Sequence, residues 1–141
     1  MTELTRSLLT AVALLLCVQA PTRCVAESLP EALAKADSST TDLDLKSTAV
    51  TDAGLEYLKG LSALRWLYLD NTKITDAGLE HLKGLTALEL LSLEHTQITD
   101  AGLEHLKGLP TLRSLLLHNT RVTEAGKADF RAARPDVTIY E

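Results

Sequence analysis

Thr75-Asp76-Ala77-Gly78-Leu79-Glu80-His81-Leu82-Lys83-Gly84-Leu85 is followed, 24 residues on, by the same eleven residues at Thr99 to Leu109. A third copy, Thr51 to Leu61, differs only in carrying Tyr57 in place of histidine. Self-similarity at a fixed period of this length marks an array of small stacked units. Extending outward gives three full blocks: Thr51 to Ile74, Thr75 to Ile98 and Thr99 to Val122. A half block precedes them, since Leu43-Asp44-Leu45 stands 24 residues before Leu67-Tyr68-Leu69, and a degenerate block runs from Thr123 to the C-terminus.

Seven columns are aliphatic in every full block; in the middle one they are Leu79, Leu82, Leu85, Leu88, Leu91, Leu93 and Ile98. Leu79, Leu82 and Leu85 fit one face of a short helix, whereas Leu91 and Leu93 alternate with Leu90, Ser92 and Glu94 in strand period. Thr75 reads as the helix N-cap, with Asp76 placed to complement the dipole and Gly84 as the stop. Each unit is therefore a cap, a helix of about two turns, a turn, a short strand and a turn. Neither element buries its apolar side alone, so the units must stack. Gly54, Gly78, Gly102 and Gly126 fall inside the helices, where glycine costs roughly 1 kcal/mol relative to alanine. Their recurrence points to close approach of neighbouring backbones, with simple duplication as the other explanation.

The run Leu88-x-x-Leu91-x-Leu93-x-x-Thr96-x-Ile98 resembles the leucine-rich repeat, with threonine where that pattern usually has asparagine or cysteine. Ile74-Thr75-Asp76-Ala77-Gly78-Leu79 is similar to the short repeats of bacterial, especially planctomycete-type, proteins and to the cysteine-containing repeats of F-box-associated proteins. The resemblance implies an α/β solenoid with a parallel sheet on the concave face and short helices on the convex face. Under it, Thr48, Thr72, Thr96 and Thr120 are expected to form a buried ladder. Each hydroxyl donates one hydrogen bond where asparagine donates two, leaving the turn less fully satisfied.

The chain ends are expected to differ from the array. Residues 1–26 have the layout of a secretory signal peptide: Arg6 near the start, an uncharged stretch from Ser7 to Val18, and the small-residue site Cys24-Val25-Ala26. Cleavage after Ala26 competes with cleavage after Ala20 and with an uncleaved anchor. Cutting at Ala26 removes both cysteines and leaves 12 Lys+Arg against 18 Asp+Glu, a net charge of −6. That balance argues against nucleic acid and anionic membrane surfaces as partners, and from the signal-like layout the chain is expected to be secreted or periplasmic. Residues 27–40 form an N-terminal cap region, with Leu29 to Ala36 reading as a short amphipathic helix. Residues 41–122 are the repeats, and 123–141 a degenerate repeat and C-terminal cap. Lys127 there takes a column leucine's place and Phe130 still matches Leu106. Glu124 to Ala133 reads as a helix, and Val137-Thr138-Ile139 as a last strand with register open by one residue.

Motifs for catalysis are absent: no phosphate loop, no H-E-x-x-H, no paired cysteines and no nucleophile elbow. The chain is read as a non-enzyme without cofactor or metal. His81 and His105 occupy equivalent helix positions beside Glu80 and Glu104 and read as a solvated face rather than a metal site. His95 and His118 read as a polar rim.

Function is expected instead where the copies differ, on strand residues that point away from the core. They form three columns: Asp42, Trp66, Leu90, Ser114; Asp44, Tyr68, Ser92, Leu116, with Tyr140 a further candidate; and Lys46, Asp70, Glu94, His118. Trp66, Tyr68, Leu90 and Leu116 make an apolar-aromatic patch beside an acidic margin of Asp70 and Glu94, with Ser92 and His118 alongside, as interaction hot spots do. The leading expectation is an exported module that binds a protein or peptide there, one offering an apolar anchor and basic groups. A structural or fragmentary solenoid that self-associates, or has no partner, is the second reading. An adaptor like the F-box-associated proteins is a distant third.

Overall fold

The computed structural model describes residues 36–141. The expected signal segment (1–26) and all but Ala36 of the helix expected over Leu29 to Ala36 fall outside the described residues. From Asp42 onward the chain repeats strand and helix. The strands are β1 (Asp42–Asp44), β2 (Trp66–Tyr68), β3 (Leu90–Ser92), β4 (Ser114–Leu116) and β5 (Thr138–Tyr140). The helices are α1 (Asp52–Leu55), α2 (Asp76–Leu79), α3 (Asp100–Leu106) and α4 (Glu124–Ala133). All five strands pair in parallel, in chain order, with a register offset of one repeat: Leu43, Leu67, Leu91, Leu115 and Ile139 lie side by side. The last strand is thus Thr138–Tyr140, one residue later than Val137-Thr138-Ile139.

All seven aliphatic columns of the middle block are fully buried. The helices are shorter than two α-turns in the first two blocks: α1 and α2 each make one turn and then tighten into 3-10 helix over Glu56–Gly60 and Glu80–Gly84. Strict three-residue spacing of Leu79, Leu82 and Leu85 suits a helix with three residues per turn. Gly84 closes that segment without a left-handed conformation, since no described glycine has positive φ.

The left-handed positions lie elsewhere. Ser47, Asn71, His95 and Asn119 have φ between 53 and 55° just after the strands. The N–H groups of Ser47, Asn71 and His95 donate to Asp70, Glu94 and His118 carbonyls at 2.8–2.9 Å, carrying the ladder past the strand end. The threonine column closes each of these turns from within. The hydroxyls of Thr48, Thr72, Thr96 and Thr120 donate to the carbonyls of Leu45, Leu69, Leu93 and Leu117 at 2.6–2.8 Å. The expected ladder is therefore a stack of separate turns. No buried side-chain nitrogen or oxygen of the described residues lacks a partner.

The joint between repeats is made by the aspartates. Asp52 accepts both the N–H and the hydroxyl of Thr75, each at 2.7 Å. Asp76 does the same for Thr99 at 2.8 and 2.5 Å, and Asp100 for Thr123 at 2.7 and 2.6 Å. Thr75 holds the N-cap position without a cap bond, whereas the Thr99 and Thr123 hydroxyls donate to the preceding aspartate and also accept the N–H groups of Ala101 and Gly126 at 3.3 and 3.2 Å. The hydroxyl and N–H of Thr123 together hold the Asp100 carboxyl below the ordinary aspartate value.

The far end is closed by α4. Phe130 is fully buried and Lys127, 8% exposed in a leucine column, pairs with Glu124 at 2.8 Å and Glu141 at 3.3 Å. Arg134 donates to the carbonyls of Lys107, Leu109 and Leu112 at 3.2, 2.6 and 3.2 Å while forking onto Asp136 at 2.9 Å through two nitrogens. That guanidinium holds the Asp136 carboxyl down at about 2. No helix among the described residues is long and apolar enough to cross a membrane.

Candidate functional site

Because strand side chains alternate, Leu43, Leu67, Leu91 and Leu115 point into the core and their neighbours on either side point out. Exact register then aligns the outward residues in rows across the sheet. Asp42, Trp66, Leu90, Ser114 and Thr138 form one row; Asp44, Tyr68, Ser92, Leu116 and Tyr140 form the next. All eight residues singled out from sequence lie on this face or its rim.

Their environments differ. Trp66 is 38% exposed, with the Arg65 guanidinium carbon 5.3 Å from its ring centroid. Arg65 in turn forks onto Glu89 through bonds of 2.9 and 2.8 Å, which raises its pKa and lowers that of Glu89. Tyr68 is half-buried beneath Lys46, whose ammonium sits 4.2 Å from the ring centroid and 3.7 Å from Asp70. Leu90 and Leu116 are half-buried. Tyr140, beside Leu116, is 52% exposed.

Ser92 departs from the expectation for a contact residue. It is 1% exposed and its hydroxyl donates to Asp70, so it braces the acidic residue from below. Asp70 also accepts the N–H of Glu94 at 3.1 Å. The Glu94 carboxylate is half-buried and has no hydrogen-bond or ion-pair partner among the described residues. His118 is exposed on the rim, its ring edge-on to that of His95 at 5.9 Å. The role of Lys46 as a lid over Tyr68 was missed from sequence, although its place in the third column carried the signal.

On the helical side, His81 and His105 are half-buried rather than fully solvated. No group of three or more His, Cys, Asp or Glu residues among the described residues is arranged to hold a metal ion.

Comparison with known proteins follows the repeat. The family model described as leucine rich repeat matches residues 38–98 and again 62–122. No curated protein sequence matches. Among solved structures, internalin C2 from Listeria monocytogenes is 34% identical with a TM-score of 0.60, over 72% of this chain and 41% of that one. A leucine-rich-repeat protein from Leptospira interrogans is 23% identical with a TM-score of 0.50, over 61% and 21%. Actin-binding site 2 of leiomodin-1 is 18% identical with a TM-score of 0.62, over 85% and 82%, a likeness of fold alone. The chain thus spans less than half the length of the two bacterial proteins.

Proposed function

Because the chain belongs to the leucine-rich-repeat family, a family of protein-interaction modules, we propose that it binds a protein or peptide partner on the outer face of its sheet. The observation that carries this reading is the patch across two adjacent rows, exposed Trp66 with half-buried Leu90 in one and half-buried Leu116 with exposed Tyr140 in the next, at positions where otherwise near-identical repeats diverge. Partly exposed aromatics ringed by polar groups are the anchors from which interfaces draw most of their energy. We further propose that the module acts outside the cytoplasm, supported by the signal-like pattern of residues 1–26.

The test is a double substitution. Trp66→Ala with Tyr68→Ala is expected to abolish capture of a purified partner while the far-ultraviolet spectrum stays unchanged. Undiminished capture would sink the sheet-face reading. A second reading, assembly with copies of itself, has one observation in its favour: β5 closes the sheet with its outer edge unpaired among the described residues. Light scattering across a concentration series separates the two, since a partner-binding monomer keeps one mass throughout.

A further inference from the structure

The charges on the sheet face fall into two groups, those already compensated and those not. Its cations are engaged: Lys46 with Tyr68 and Asp70, Arg65 with Glu89 and Trp66. Among the acidic groups of the three outward columns, only Asp70 has a cation. The Asp42 and Glu94 carboxylates have no hydrogen-bond or ion-pair partner among the described residues, and Asp44 accepts only the N–H of Lys46, at 3.0 Å. Asp42 therefore stands in register beside Trp66 at one end of the apolar patch, and Glu94 lies diagonally beside Leu116 at the other, two carboxylates with no compensating charge.

From this we infer, resting on the sheet-face reading above, that the partner presents an extended cationic segment: one aliphatic or aromatic side chain bracketed by two lysines or arginines. A neutral or acidic segment covering the apolar row strips water from Asp42 and Glu94 and gives nothing in return, a penalty that only a cation offsets. The face already holds one such arrangement in miniature, the Lys46 ammonium resting on an aromatic ring against a carboxylate. The spacing follows from the register. Asp42 stands in register with Leu90 two strands away, and Glu94 lies four residues beyond Leu90. With strands about 4.8 Å apart and about 3.3 Å per residue, the two carboxylates are about 16 Å apart, the span of roughly five extended residues.

The probe is a random-decapeptide phage library selected on the immobilised chain. Enriched peptides are expected to carry two basic residues about five apart with an apolar residue between them. Asp42→Asn with Glu94→Gln is expected to weaken the best selected peptide about tenfold and to flatten its salt dependence. The thermal midpoint should hold, because neither side chain bonds to the fold. Enrichment of neutral or acidic peptides, or of none, overturns the proposal. So does a dimer blocked by Trp66→Ala with no peptide enriched, which assigns the face to a second copy. If the selected peptide ignores the charge variant but is lost on Trp66→Ala, the cationic segment fails and the sheet face stands. Indifference to both variants removes both.

Discussion

Gly78 has room for a hydrogen atom and nothing larger: a Cβ there would lie 2.5 Å from Asp52 Oδ1 and 2.9 Å from Leu55 Cδ1. Asp52 cannot swing aside without releasing both bonds to Thr75. Gly102 and Gly126 meet Asp76 and Asp100 in the same way, so the recurring glycine marks close approach between repeats rather than copying alone. We predict that Gly78→Ala lowers stability by about 1–3 kcal/mol in urea melts, despite alanine's better helix propensity. Gly60→Ala, with nothing within 4 Å of the new methyl, should be neutral or gain up to about 1 kcal/mol. The glycine was visible in the sequence as an anomaly, but its cause was not, because the aspartate that fills the space belongs to the preceding repeat. A second residue-scale prediction concerns acid. The Asp136 carboxyl, held at about 2 by Arg134 against an ordinary 3.8, favours the folded chain above the ordinary value. That contribution fades as pH falls from 3.8 towards 2. The urea midpoint should therefore drop across this window, and more gently in Asp136→Asn.

Among the elements, α2 and α3 begin from one undecapeptide yet differ in form. In the second copy α-helix gives way to 3-10 after Leu79, whereas in the third it continues to Leu106. The third copy packs between the second and the ten-residue α4, the second between α1 and the third. No sequence argument separates two identical segments, so helix type was beyond reading, while the strands and the helix bounds Glu124 to Ala133 were not. The cap illustrates the same division. Phe130 in its column announced the helix, but nothing local announced that Arg134 would reach three carbonyls of the preceding turn. Arg134→Ala should cost about 1–3 kcal/mol by leaving those acceptors unpaired, measured as a shift in urea midpoint with the m-value retained. Leu91→Ala, at the centre of the sheet, should cost about 2–5 kcal/mol by the same measurement.

At the scale of the molecule, stability is a sum of repeats and the interfaces between them. Period, parallel sheet and outward rows followed from the 24-residue alignment, because every buried column repeats in phase. The availability of each outward residue did not follow: Ser92 is covered and Tyr68 lies under Lys46, both through contacts across strands. Deleting residues 75–98 in frame joins Ile74 to Thr99 and hands Asp52 a threonine identical in role to the one it lost. The shortened chain should fold with a four-stranded sheet and a lower thermal midpoint. Deleting 75–86, which breaks the period, should give no cooperative melt. The Asp–Thr joint also has a sense of direction: each repeat carries a plug on its aspartate side and a socket on the threonine that opens it. Any unit cut at those threonines fits any other, so unequal crossing-over between copies yields a working junction at its first attempt. The length of the array is thus free to vary in inheritance while every seam stays closed, and the outward rows can be reshuffled into new binding faces without redesign of the frame beneath.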